Sequence, residues 1–526
     1  MLHVTAVSAN KYINRPADAV LKPLAEQLDT QLWGLLPGFH RLVFENGQVL
    51  LTLCIGSAAK ILRQLQFEAT SIDLNSAVLK DDDALYAAKA IARLCQHGTV
   101  VTISRNTAVQ TALRQCGFLV DGLQATYNPS WVTKKSIYFT QPATCVVIGA
   151  GLAGAAVASS LARRGWAVTV LDAAGEPASG ASGLPAGLLV PHTSPDDSPL
   201  SRLSRCGVRM TLEQAGRLLQ SGQDWGYTGM LERSIDAVPK KLPDAWAQDW
   251  VNAADCWSRP ATTDQLLAAG LPAASIALWH AQAGWVKPAA LVRAWLATPG
   301  VTWRGNAQVA QLRPAASTEL QGWQVVDSAD ELLAEAHLVV LASGFASQAL
   351  AATARTSPLA LQPIRGQVSW GLHAGHDPAF KLPGFPVNGH GGFLSAIPST
   401  KGSFWLMGST YQRDEPLSRI HQQDNEENFR CLQALLPKVA SALAEQFNAP
   451  KAQAWAGIRC ATPSRLPLLG QLVSTASNAP LWICTGLGSR GLTFAALCGE
   501  LLAAQLHCEP LPVDRQLADT LIRRKL

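Results

Sequence analysis

The sequence is poor in charge and has no paired cysteines. Asp, Glu, Lys and Arg make up only 15% of the 526 residues, too few for long disordered tails or a charged solvating tract. The eleven cysteines are an odd number spread along the chain, with no C-x-x-C pair and no histidine at zinc-site spacing. A disulfide framework and a sequence-local zinc site are thereby excluded, no metal is expected, and reduced thiols point to a cytoplasmic protein. MLHVTAVSANKY lacks a basic stretch followed by an apolar core, so no secretory leader is expected. Internal repeats and low-complexity tracts are missing as well.

Concentrated positive charge is also scarce. The net charge of +5 permits an anionic partner without demanding one, because nucleic-acid binding usually shows as a basic face. The basic clusters are short, as at Lys134 with Lys135 and in the tail LIRRKL, and a solvated surface explains both. One uncharged run, from Thr144 to Ala162, has nearly the length of a membrane span. Its β-branched start, CVVI, followed at once by closely spaced glycines, argues for a soluble fold instead.

What is present suits a globular enzyme. At 48% apolar residues the chain can bury two or three cores. TCVVIGAGLAGAAVASSLARRGWAVTVLD, from Thr144 to Asp172, reads as strand, tight turn, helix, turn and strand. Gly149, Gly151 and Gly154 fill G-x-G-x-x-G at the strand-to-helix junction. The first permits the turn, the second lets backbone approach a pyrophosphate, and the third lets helix and strand pack closely. The helix N-terminus offers free N–H groups to phosphate. Asp172 ends the second strand about 20 residues on, where a carboxylate meets ribose hydroxyls.

This unit alone leaves NAD and FAD open. The small-residue stretch AAGEPASGASGLPAGLLVPH that follows would let backbone pass a second phosphate and a ribityl chain, with Ser179, Ser182 and Gly187 as candidates. HLVVLASGFAS supplies a returning strand that ends near Gly344. LWICTGLGSRGLTFAALCGELLAAQL repeats strand, glycine-rich turn and helix. Its Gly488, Ser489, Gly491 and Leu492 would present a helix N-terminus to the reduced cofactor.

GAGLAG, GASG, GWVKPAALVRAWL, PIRGQVSW and GIRCATPSRLPLLG followed by GLGSRGLTFA together resemble the D-amino-acid-oxidase-like family of FAD-dependent oxidoreductases. Within it they look most like the oxidoreductase half of MnmC, a family of bifunctional tRNA-modifying proteins. The resemblance implies an α/β fold over 143–526, with a Rossmann-like FAD domain (about 143–225, 281–361 and 456–526). An antiparallel substrate sheet (about 226–280 and 362–455) is implied beside it. FAD is the implied cofactor and a tRNA wobble uridine the implied substrate. Oxidative loss of a carboxymethyl group from 5-carboxymethylaminomethyluridine would leave the aminomethyl form. GHGGFLSAIP departs modestly from the family pattern.

The same resemblance assigns the residues in front of the fingerprint. QLWGLLPGFHRLVFENGQVLLTL and HGTVVTISRNTAVQTALRQCGFLV resemble parts of a methyltransferase half. The alternation of QVLLTLCIG, SAAKILRQLQ, DDALYAAKAIARLCQ and TVVTIS independently reads as an α/β domain over 1–138. Nothing before Gln31 supplies the glycine-rich turn of an S-adenosylmethionine site, and only Asp73 stands as a relic of the methyl-transfer motif. Methyl transfer is therefore expected to be lost, and a separate methyltransferase would complete the modification.

For the oxidative half, the resemblance implies Arg459, in GIRCA, as the ligand of the substrate carboxylate, whose planar fork can bind it bidentately. Arg490, in GLGSRG, lies at the turn expected to face the flavin. Arg365, in PIRGQVSW, fits either a junction near the cofactor or a purely structural role. Two other functions stay open: oxidation of free glycine, sarcosine or a D-amino acid, and non-catalytic tRNA binding by a protein that keeps FAD for structure.

Overall fold

The computed structural model describes residues 1–8, 21–74, 81–133, 141–246, 251–315, 322–373, 381–448 and 452–522. Lys134, Lys135 and the last four residues of the LIRRKL tail lie outside them. The chain divides into two units, Met1–Gln141 with Glu500–Asp519, and Pro142–Gly499 with Thr520–Leu526.

The first unit is α/β. Val49–Ile55 runs parallel to Leu2–Ser8 and antiparallel to Gly38–Phe44. A second sheet takes Ala69–Asp73 beside Cys95–Thr102, then Gln124–Tyr127 and Phe118–Asp121. Helices Ala58–Gln64, Ala84–Ala92 and Thr107–Gln115 bury Ile91, Val109 and Leu113 with Val101, Ile103 and Phe118. Asn106 starts the last of these by accepting the Val109 N–H at 3.0 Å, the expected use of an Asn cap. The helix expected through Gln96 ends earlier, at Ala92. A turn closed by Leu94 N to Ile91 O precedes the strand Cys95–Thr102, whose β-branched end prefers the sheet.

Segment Glu500–Asp519 completes this unit. Glu68 donates its backbone N–H to Cys508 O at 3.0 Å, the Arg41 guanidinium donates to Pro510 O, and His3 faces Glu509 at 3.4 Å.

In the second unit, five parallel strands run in the order Val301–Arg304, Ala167–Leu171, Thr144–Ile148, Leu338–Leu341 and Leu481–Thr485. Leu468–Gln471 closes the edge antiparallel. Apolar strands of this kind are covered on both faces. All eleven residues of helix Leu152–Ala162 are buried, eight of them Ala, Gly or Ser. Helix Gly491–Leu506 approaches it so closely that a Cβ on Gly499 would lie 2.7 Å from Ala156 O. Helix Pro199–Leu218 comes equally near: a Cβ on Gly207 would sit 1.9 Å from Thr493 O, and Thr211 donates to Leu492 O at 2.7 Å.

A nine-stranded sheet gathers Met230–Arg233 and Ala277–His280 with Gln362–Leu372, Gly391–Ile397, Phe404–Gly408 and Gln453–Ala461 among its strands. It is antiparallel except where Met230–Arg233 meets Val387–Gly389. Helices Gln422–Leu435 and Pro437–Asn448 pack on one face through Leu432, Leu435, Val439 and Leu443. No described helix is long and apolar enough to cross a membrane.

Candidate active site

The parallel sheet brings the dispersed glycine turns together at the C-terminal ends of its strands. Gly149 has φ +112°, and a Cβ there would lie 2.6 Å from Ala342 O. Only glycine lets the two neighbouring strand ends come this close. Gly154 carries the packing role expected of the third glycine, since its Cβ would fall 1.8 Å from Gly149 O. Gly151 caps the helix without a side chain. Ser182 stands in for one, its hydroxyl accepting the Leu152 N–H at 2.9 Å.

Asp172 grips the same turn. Its Oδ2 accepts from Ala150 N at 2.7 Å and its Oδ1 from Ala174 N at 2.9 Å. The carboxylate therefore braces the phosphate turn, and its remaining lone pairs are what a ribose hydroxyl would use.

The C-terminal turn closes onto this cluster. Gly488 donates to Cys460 O at 2.8 Å, Thr485 donates to Gly344 O at 3.1 Å, and a bridge joins Ala461 to Leu487. Gly491 sits against Leu152, and Gly187 against Leu492. Thus Gly344, Gly488, Gly491 and Leu492 gather beside the fingerprint helix, as does Gly187. Ser489 is exposed on the turn. Ser179 is tied elsewhere, donating to Glu176 O at 2.6 Å.

Two arginines lie beside this cluster: Arg459 precedes Cys460, Arg490 sits on the C-terminal turn, and both feel the charge of Tyr411. Arg459, on Gln453–Ala461, donates to the Ser409 hydroxyl and, at 3.5 Å, to Thr410 O, and its guanidinium lies 5.3 Å from the Tyr411 ring centroid. Its fork crosses Gly366, where a Cβ would come within 2.1 Å of it. Among the described residues it has no acidic partner. Burial pushes its pKa down, against the phenol of Tyr411, which raises it. Arg490 is likewise lowered by burial and then by the charge of Arg465, and its guanidinium has no hydrogen bond or ion pair among the described residues. Both are partly buried cations without a carboxylate partner among the described residues.

Arg365 is the contrasting case. Fully buried, it donates to Asp424 at 2.5 Å, Gln412 at 2.7 Å, Gln367 at 2.8 Å and Arg419 O at 2.8 Å. Every face of the guanidinium is used, and it ties the large sheet to helix Gln422–Leu435, the structural option of the two left open by sequence.

Several polar residues had no sequence signal. Ser409, Thr410 and Tyr411 reach Arg459 only because strands Phe404–Gly408 and Gln453–Ala461 flank Gln362–Leu372. His192 is held below its ordinary pKa, first by burial and then by Arg490. A buried chain runs from Thr193 to Ser258 at 3.3 Å, Ser258 to His280 at 2.9 Å and His280 to Glu232 at 3.1 Å, ending on Lys240 at 2.6 Å. Burial would raise the Glu232 carboxyl, but His280 and Lys240 outweigh it and hold it at about 2.

Comparison with known proteins shows the family and the fold. The family model described as FAD dependent oxidoreductase matches residues 144–505. The MnmC protein of Polaromonas sp. (strain JS666), a tRNA 5-methylaminomethyl-2-thiouridine biosynthesis bifunctional protein, is 54% identical over 95% of this chain and 81% of its own length. Its namesake in Polaromonas naphthalenivorans is 53% identical over the same shares. The chain belongs to the MnmC family of FAD-dependent oxidoreductases.

Solved structures agree on the fold. Glycine oxidase from Geobacillus kaustophilus superposes with a TM-score of 0.53 at 20% identity, covering 70% of this chain and 96% of that one.

Like the rest of its family, the chain takes FAD as cofactor, and its residues fit that group. The pyrophosphate needs a backbone surface free of Cβ atoms above a helix N-terminus. Gly149, Gly151 and the N–H groups opening Leu152–Ala162 provide one, with Ser182 at hand as a further hydrogen-bonding group. The N-terminus of Gly491–Leu506 adds a second positive dipole end. When bound there, FAD supplies a two-electron acceptor.

Proposed function

We propose that this protein removes the carboxymethyl group from 5-carboxymethylaminomethyl(-2-thio)uridine at the tRNA wobble position, acting on the CH–NH bond. The reading rests on one observation: Arg459 and Arg490, both without acidic partners among the described residues and both interacting with Tyr411, stand beside the glycine turns that fit FAD. The names of the MnmC relatives supply the tRNA.

The reaction balances without an acid or base that must be assigned. The neutral secondary amine loses a hydride from the carbon between nitrogen and carboxylate, together with the proton of nitrogen. Water adds to the resulting imine, and the C–N bond breaks to give the aminomethyl nucleoside and glyoxylate. Arg459 binds the carboxylate through its fork, and Tyr411 packs against the guanidinium and fixes its plane. Arg490 adds positive potential, which together with the larger effect of burial lowers the pKa of His192. Site roles carried by this reading are Arg459 and Arg490 for substrate, and Gly149, Gly151, Gly154, Asp172, Ser182, Gly187, Gly344, Gly488, Gly491 and Leu492 for cofactor. Ser179 and Ser489 remain peripheral candidates.

The first unit, on this reading, is a methyltransferase-like domain that serves as a docking surface for tRNA or as packing for the oxidase.

Mass spectrometry of nucleosides from tRNA carrying the carboxymethylaminomethyl group tests the proposal. Incubation with the yellow protein is expected to yield the aminomethyl form and glyoxylate. Peroxide release from free glycine or sarcosine, with modified tRNA unchanged, would establish the small-amine alternative instead. Added S-adenosylmethionine is expected to produce no methylated product.

A further inference from the structure

We infer that the outer face of the large sheet carries a site for a divalent transition-metal ion, formed by His390, Glu427 and Cys431. Their ligand atoms, an imidazole nitrogen, a carboxylate oxygen and a thiol sulfur, all lie within 4.8 Å of one another. Sequence spacing could not reveal it, because the histidine comes from a hairpin and the other two from a distant helix.

The fold positions each ligand. His390 sits at the apex of the hairpin in which Gly389 pairs with Gly391, and Gly391 has φ +81°, which makes the turn tight. Glu427 and Cys431 stand one turn apart on Gln422–Leu435, so they share a face. Arg430 takes Glu427 Oε2 at 2.8 Å, while Oε1 accepts from the Cys431 thiol at 3.7 Å. The arginine thus orients the carboxylate as a supporting residue does for a metal ligand.

The donor set selects the ion. One sulfur, one imidazole and one oxygen suit Zn²⁺, whereas Mg²⁺ and Ca²⁺ prefer oxygen alone. Tetrahedral zinc with these three donors places its ligands roughly 3.3–3.6 Å apart. The needed contraction of about 1 Å at the widest pair is small for His390, whose side chain is exposed. A water completes the coordination, and the thiol proton passes to solvent on binding. The ion would clip the hairpin to the helix above a shared core, where Val387 and Phe393 pack with Leu432 and Leu435.

The test uses the full-length, flavin-loaded protein without an affinity tag, stripped with chelator and titrated with ZnCl₂ by calorimetry and thermal melting. One equivalent is expected to bind with submicromolar affinity and to raise the melting temperature by about 3–8 °C, while MgCl₂ does nothing. Cobalt(II) is expected to add a thiolate charge-transfer band to the difference spectrum. His390→Ala and Cys431→Ser should each abolish both effects while keeping the flavin spectrum and basal oxidation. Affinity weaker than about 10 μM, or unchanged zinc binding in His390→Ala, overturns the site. His390→Ala alters only an exposed hairpin tip, so it reports even if Cys431→Ser misfolds.

Discussion

At the residue scale, the decisive contrast is between arginines that have acidic partners and those that do not. Arg365 is saturated by Asp424 and its neighbours, whereas Arg459 meets only neutral groups. Replacing Arg459 by Met should lower kcat/KM for a carboxylate-bearing substrate by about 10²–10³-fold. The flavin spectrum should stay unchanged, as steady-state kinetics and absorbance would show. Glu232 gives a pH signature. A carboxyl held at about 2 contributes stability above the unfolded pKa of roughly 4.3, and that stability is lost as pH falls through the folded value. Glu232→Gln should therefore destabilise the protein near neutral pH by on the order of 2 kcal/mol. The gap from the parent in denaturant melts should narrow between about pH 4.5 and pH 2.

At the scale of elements, glycines set how near helices and strands can come. Gly149→Ala forces a Cβ to 2.6 Å from the Ala342 carbonyl oxygen, which separates the two strand ends framing the phosphate turn. Purified Gly149→Ala protein should come without yellow colour and regain little FAD on titration. Gly207→Ala would drive Pro199–Leu218 away from Thr493, where the present distance to a Cβ is 1.9 Å. Overpacking of this kind costs about 1–3 kcal/mol, measurable as a lower denaturant midpoint.

The elements also show what local sequence conveys. G-x-G-x-x-G, with a strand on each side, was legible because each glycine answers a local steric demand and the strands are short apolar runs. The end of helix Ala84–Ala92 was less so, since ALYAAKAIARLCQ is helix-prone throughout. Only the pairing of Cys95–Thr102 with Ala69–Asp73 draws its last residues into a strand. The network from Thr193 to Lys240 left no trace in the sequence, because its members come from separate segments and each is an ordinary polar residue alone.

At the scale of the molecule, the chain's end returns to its beginning: Glu500–Asp519 belongs with Met1–Gln141. Leu511, Val513 and Leu517 are buried, and Cys508 and Pro510 accept hydrogen bonds from Glu68 and Arg41. A fragment starting at Pro142 would leave those partners unmade. It should express with markedly lower soluble yield than the full chain, and removing residues from 508 onward as well should partly restore it.

The sequence by itself determined the cofactor fold. Turns that cradle phosphate need glycine at set positions, and buried parallel strands need unbroken apolar runs; both are local requirements. Tertiary structure alone decided which arginine is left without an acidic partner, which is tied into the scaffold, and which distant side chains converge. Those outcomes depend on strand order and helix placement, and a carboxylate such as Asp424 neutralises Arg365 only once a helix has carried it there.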